Sequence, residues 1–320
     1  MSRAALVRAL RLLLIVLALV FCVWSLASQW DEARRAFGEL SWPGLVGAFA
    51  FGVAGLVAWT FGWRAFMTGL GSRLPIPAAL RIAAISGLGK YVPGMVWVVV
   101  SQVELSRAHQ VPRARSFSAS VLAVATSTAC GLAVAAVTLP LTSAAARAEY
   151  WWLFLFAPVL IGSLYPPFVT WALNTLLRLA RQRPLEHAVG FGAMARAVAW
   201  TVLGWLLFGG HLWLLCLSVG GGPRLVFVAV GAYALAFVAG LLVFIAPGGL
   251  GAREAVMVAV LTPVLPAGAP IVIALASRVL LTLADLAYAG ATLLLGRPPL
   301  TAGNADAEPE LVTGTPPGKE

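Results

Sequence analysis

Apolar runs of membrane length alternate along this chain with short polar loops. Uninterrupted runs cover residues 12–27, 45–66, 117–141, 151–177, 197–219 and 271–295. Because about 20 helical residues at a rise of about 1.5 Å cross a hydrocarbon core of about 30 Å, each run is read as a spanning helix. Two further apolar stretches are broken. Residues 77–88 and 94–103 flank a break at 90–94, and residues 225–246 and 252–265 flank a second break at 247–251. In lipid every backbone polar group needs an internal partner, so interrupted backbone is tolerated only where it is buried in protein or lines a cavity. Arms of about a dozen residues are too short to cross, and the first pair is therefore read as a re-entrant hairpin. The arm 225–246 is long enough to cross fully, which leaves two counts open: six spans with two re-entrant hairpins, or eight full spans.

Loop charge orients these elements. Arg3, Arg8 and Arg11 precede the first run, and Ser25-Leu26-Ala27 resembles a cleavage site, but the run exceeds a usual signal-peptide core and is expected to stay as an uncleaved helix. With both termini placed in the cytoplasm, external loops hold Arg34, Arg35, Arg147 and Arg224. The membrane interior holds Lys90, Arg253 and Arg278, and the cytoplasmic side takes the remaining fifteen of the 22 Lys and Arg. This satisfies the positive-inside rule. Span, span, inner hairpin and span are then followed by span, span, outer hairpin and span, with the second half entering from the opposite face. That order is an inverted repeat, about 6–141 and 151–295, in which two broken elements meet near the midplane. Trp151 and Trp152 are placed as interfacial anchors.

The expected fold is an all-α polytopic membrane helix bundle, one transmembrane domain over 1–296 followed by a disordered cytoplasmic tail, 297–320, rich in Pro, Gly and Glu. Composition agrees: 61% hydrophobic and 11% charged residues, with a mean hydropathy of +0.92. The net charge of +10 sits in loops beside apolar spans and sets orientation, so nucleic acid is not an expected partner. Cys22, Cys130 and Cys216 lie within spans without metal-ligand spacing, and His109, His187 and His211 are scattered. No metal or other cofactor is expected. No carboxylate pair, activated nucleophile or metal cluster lies in the spans, so the chain is not read as an enzyme.

The candidate chemistry sits at the breaks. Pro93-Gly94 and Pro247-Gly248-Gly249 each end one half-helix and begin another, and a half-helix start offers unpaired N–H groups and partial positive charge to an anion. Lys90 and Arg253 add a full charge beside each break, and ionisable residues at this depth default to function. The competing reading has them bracing the bundle, with Lys90 snorkelling to the interface and Arg253 paired to Glu254 or Asp285. Tyr91 and Trp97 flank the first break, and Gly251 and Glu254 complete the second. Arg278 and Asp285 are seven residues apart on one helix face and are expected to form a structural ion pair. His211 is expected to be a hydrogen-bonded packing residue. Gly249-Leu250-Gly251 lacks the context of a nucleotide loop.

Gly89-Lys90-Tyr91-Val92-Pro93-Gly94 with Val96-Trp97, and Pro247-Gly248-Gly249-Leu250-Gly251-Ala252-Arg253-Glu254, resemble the paired signatures of the lysylphosphatidylglycerol synthase transmembrane-region family, also called flippase-like domain proteins. The resemblance extends over about residues 6–295. It implies roles for Lys90, Pro93, Gly94, Pro247, Gly248, Gly249, Gly251, Arg253 and Glu254. An acidic residue found early in the following span of many relatives has no counterpart in residues 118–125, and no soluble aminoacyl-transferase domain accompanies the spans. Lysyl-phosphatidylglycerol synthesis is therefore not expected. The resemblance points to a bacterial inner-membrane protein that translocates an anionic lipid or lipid-linked headgroup through a midplane site. The alternative is a non-transporting membrane partner or scaffold of a separately encoded glycosyltransferase or aminoacyl-transferase. The oligomeric state is not expressed in the sequence.

Overall fold

The computed structural model describes residues 40–92, 96–142, 151–179, 189–242 and 249–294. The expected first span, the tail, and Pro93, Gly94, Pro247 and Gly248 lie outside these residues. Within them the chain forms ten α-helices and no strand: α1 (Trp42–Gly69), α2 (Ile76–Gly87), α3 (Val96–Ser106), α4 (Arg113–Thr138), α5 (Phe156–Gly162), α6 (Pro166–Leu179), α7 (Phe191–Ser218), α8 (Val226–Leu242), α9 (Ala252–Leu261) and α10 (Ala269–Leu294). Five stretches are long and apolar enough to cross a membrane: α1, α4, α7, α10, and α8 together with the 3-10 turn that starts it at Pro223.

The run at 151–177 was expected to be one span, and the structure divides it. A 3-10 turn (Trp151–Leu155) leads into α5, and α6 starts afresh at Pro166. Pro166 and Pro167 carry no N–H to continue the preceding helix, and the residue before a proline is driven out of helical geometry. The short arms at the first break are confirmed as separate helices: α2 has 12 residues and α3 has 11, and the two pack against each other.

Helix α1 begins at a Ser41 cap, whose side chain accepts the Gly44 N–H at 3.3 Å, and it runs alongside α7. Without a hydrophobic drive between helices in lipid, association depends on close van der Waals fit, which small residues permit. Here glycines on one helix receive aromatic rings from the other: Gly55 faces Phe208, Gly204 faces Trp59, and Gly210 faces Phe51. Trp59 then meets Trp205 and Phe208 edge-on, each with centroids 4.9 Å apart, and Phe237 of α8 at 5.1 Å. His211 on α7 ties three helices together, with one ring nitrogen 2.8 Å from the Ala48 carbonyl of α1 and the other 3.0 Å from the Ser277 hydroxyl of α10. Both nitrogens are engaged and the ring is fully buried, as a packing histidine requires.

The α7–α8 crossing gives a first test. A β-carbon at Gly209 would lie 2.6 Å from the Val230 Cα, a backbone atom that cannot rotate away. Gly209→Ala is expected to cost about 1–3 kcal/mol through overpacking. The check is thermal unfolding in detergent, with Gly290→Ala as the control because nothing lies within 4 Å of that position.

Candidate functional site

Three segments that are remote in sequence converge. The first is the 3-10 turn Leu88–Tyr91, which ends α2. Gly89 lets this turn approach α3 closely, since a β-carbon there would lie 3.0 Å from the backbone of both Trp97 and Val98. The turn presents Lys90 and Tyr91 on successive positions. The second segment is Gly249–Gly251 leading into α9, where Gly249 and Gly251 have φ of +71° and +85°. The third is the middle of α10, which carries Arg278 and Asp285.

Arg278 and Asp285 are not paired with each other, contrary to expectation. Lys90 Nζ lies 2.5 Å from Asp285 Oδ2, the Tyr91 hydroxyl donates to the same oxygen at 2.7 Å, and Arg278 Nη1 lies 2.5 Å from Glu254 Oε1. Seven residues place the two side chains on one helix face but about 10 Å apart along the axis, so each finds a nearer partner on a different broken segment. Helix α10 is thus fastened to both breaks, once through Asp285 and once through Arg278. Lys90 is turned inward to Asp285 and is still 32% exposed.

Glu254 also corrects the expectation that both half-helix starts are open to an anion. Its Oε2 accepts the Gly251 N–H at 2.8 Å, so the positive end of α9 already holds a carboxylate belonging to the protein. Arg253 pairs with neither Glu254 nor Asp285. Its guanidinium lies over the Tyr233 ring at 4.8 Å and the Phe237 ring at 5.9 Å, and its Nη2 is buried with no hydrogen-bond partner. A cation over aromatic faces is held electrostatically, and the Nη2 donors stay without a partner.

A cavity of about 80 Å³ opens between these segments. Lys90, Tyr91, Gly249 and Arg253 line it, and so do Arg278 and Asp285. Trp97, Gly251 and Glu254 do not line it. Trp97 packs against the cluster around Leu88, Tyr91 and Tyr288, while Glu254 acts through Arg278 and the α9 start. The aromatic wall of Trp59, Phe208, Tyr233 and Phe237 was not foreseen. Nothing in the local sequence sets these four apart from other aromatic residues in spans, and only the packing of α1, α7 and α8 brings them together. Among the described residues no three His, Cys, Asp or Glu gather as metal ligands.

The family model described as lysylphosphatidylglycerol synthase TM region matches residues 8–289. No curated protein matches the chain significantly.

Proposed function

Because the chain belongs to the lysylphosphatidylglycerol synthase transmembrane-region family and is a multi-pass membrane protein, we propose that it is a flippase-like transporter of an anionic lipid or lipid-linked headgroup. The observation that carries this reading is one cavity lined from both interrupted segments, with a buried Arg253 donor free to bind and Lys90 and Arg278 in the same wall. The headgroup phosphate enters the cavity while the acyl chains stay among the lipids. Arg253 takes a phosphate oxygen through its unpartnered Nη2, and Lys90 shifts part of its interaction from Asp285 to the ligand. The two breaks act as opposed re-entrant hairpins of an inverted repeat, and the positive-φ glycines at 249 and 251 supply the hinge by which the site opens to either face. In this reading the protein is non-enzymatic, resides in a bacterial inner membrane, and keeps both termini in the cytoplasm.

Flip of labelled phosphatidylglycerol in reconstituted vesicles tests the proposal. Arg253→Gln removes the cation that pairs with no carboxylate among the described residues, and it is expected to slow the initial rate by at least about tenfold, since a charge-assisted contact contributes about 1.5–3 kcal/mol. An unchanged rate in a variant with unchanged thermal stability removes the mechanism. No transport by the wild type, together with co-purification of a membrane-associated transferase, replaces it with the docking role.

A further inference from the structure

The charge at this site does more than attract an anion; it counts the charges of one. Lys90, Arg253 and Arg278 carry three positive charges, and Asp285 and Glu254 return two negative ones through direct ion pairs. One positive unit is left, and it is carried by the guanidinium whose Nη2 has no partner. Lys90, Arg253, Arg278 and Asp285 line the cavity, Glu254 stands behind Arg278, and no further described acidic or basic side chain lines it. We infer that the site selects a singly charged phosphodiester headgroup over a doubly charged phosphomonoester or diphosphate, and that Glu254, acting through Arg278, sets this preference. The inference rests on the transport reading above.

The physical reason is the cost of leftover charge in a space of low polarity. A ligand of charge −1 makes the loaded site neutral. A ligand of charge −2 leaves one buried negative charge without a partner, and uncompensated charge is what such an environment penalises most. Arg278 cannot relieve the imbalance by moving to the interface, because it is 8% exposed and sits mid-helix. The size of the cavity is consistent with a phosphate group: one water needs about 10–15 Å³, and about 80 Å³ is present. Glu254 is therefore a specificity-setting residue that does not itself touch the ligand.

The test compares labelled phosphatidylglycerol with labelled phosphatidic acid of identical acyl chains in phosphatidylcholine vesicles. At about pH 9 the phosphomonoester has lost its second proton, whose pKa is about 6, and carries two charges. The wild type is expected to flip the diester at least about tenfold faster there. Near pH 5 the monoester carries a single charge, and the preference is expected to fall to within about twofold. Glu254→Gln keeps one of the two acceptor oxygens that Gly251 and Arg278 share between them and raises the net charge by one, and is expected to reduce the pH 9 preference at least about fivefold. Adding Arg278→Met to it returns the net charge to one and is expected to restore the preference.

Equal rates for the two lipids at pH 9 in the wild type overturn the inference, as does a preference that neither pH nor Glu254→Gln changes. Thermal stabilisation by the same two lipids separates this claim from the one beneath it. Selective binding without flip overturns transport and leaves charge selection standing. Neither binding nor flip overturns both.

Discussion

Glu254→Ala is expected to be the most destabilising single change at the site, losing about 3–5 kcal/mol, because it strands the buried Arg278 guanidinium. Arg278 is 8% exposed, and its Nε already lacks a hydrogen-bond partner, so the contact from Nη1 to Glu254 is its compensation within the bundle. The same substitution removes the carboxylate that accepts the Gly251 N–H, opening the first turn of α9 at a further cost of about 0.5–2 kcal/mol. Unfolding by denaturant in detergent micelles measures the loss. A cycle with Arg278→Met assigns it: with both partners gone no charge is stranded, and the double variant is expected to recover most of the pair's share. If Glu254→Ala with Arg278→Met is no more stable than Glu254→Ala alone, the stranded charge is not the cause. The companion pair behaves more mildly. Lys90 is about one third exposed, so removing Asp285 lets it turn towards water and headgroups, and screening lowers the cost.

Gly249→Ala is expected to follow closely, for a reason unrelated to charge. At φ +71° an L-residue costs about 1–2 kcal/mol. A β-carbon there would also lie 2.6 Å from the Cα of Gly240 on α8, where two glycine backbones meet with no side chain to yield. Overpacking adds about 1–3 kcal/mol and displaces Arg253, which follows four residues on. Gly251 supplies the control. Its φ is +85°, yet nothing lies within 4 Å of its β-position, so Gly251→Ala is expected to show the backbone cost alone. Thermal unfolding of both variants, with the flip rate measured beside it, separates the two contributions. Equal losses at the two positions would show that the Gly240 contact is not limiting.

Much of this was readable along the chain. Hydropathy located every long helix among the described residues with ends displaced by up to about six positions, since the bilayer fixes both the length and the composition of a crossing segment. Lys90 and Arg253 were singled out because charge and broken backbone are both costly in lipid, and they do line one cavity. The double proline at 166–167 also lay in plain view, but hydropathy averages across it and so merged two helices into one run. The reach of the signal ended at pairing. Helical periodicity put Arg278 and Asp285 on one face and could not say which neighbours stood opposite, and the facing residues proved to be Glu254 and Lys90.

The break at Lys90 and its later mate at Arg253 were therefore set by the sequence alone, as was the bundle that holds them, because both follow from local composition against a slab of fixed thickness. Which cations pair with a carboxylate and which does not was decided only by the tertiary structure. Ion pairing depends on distances of a few ångströms between residues as far apart as 90 and 285, and such distances exist only once α1, α7, α8 and α10 have packed.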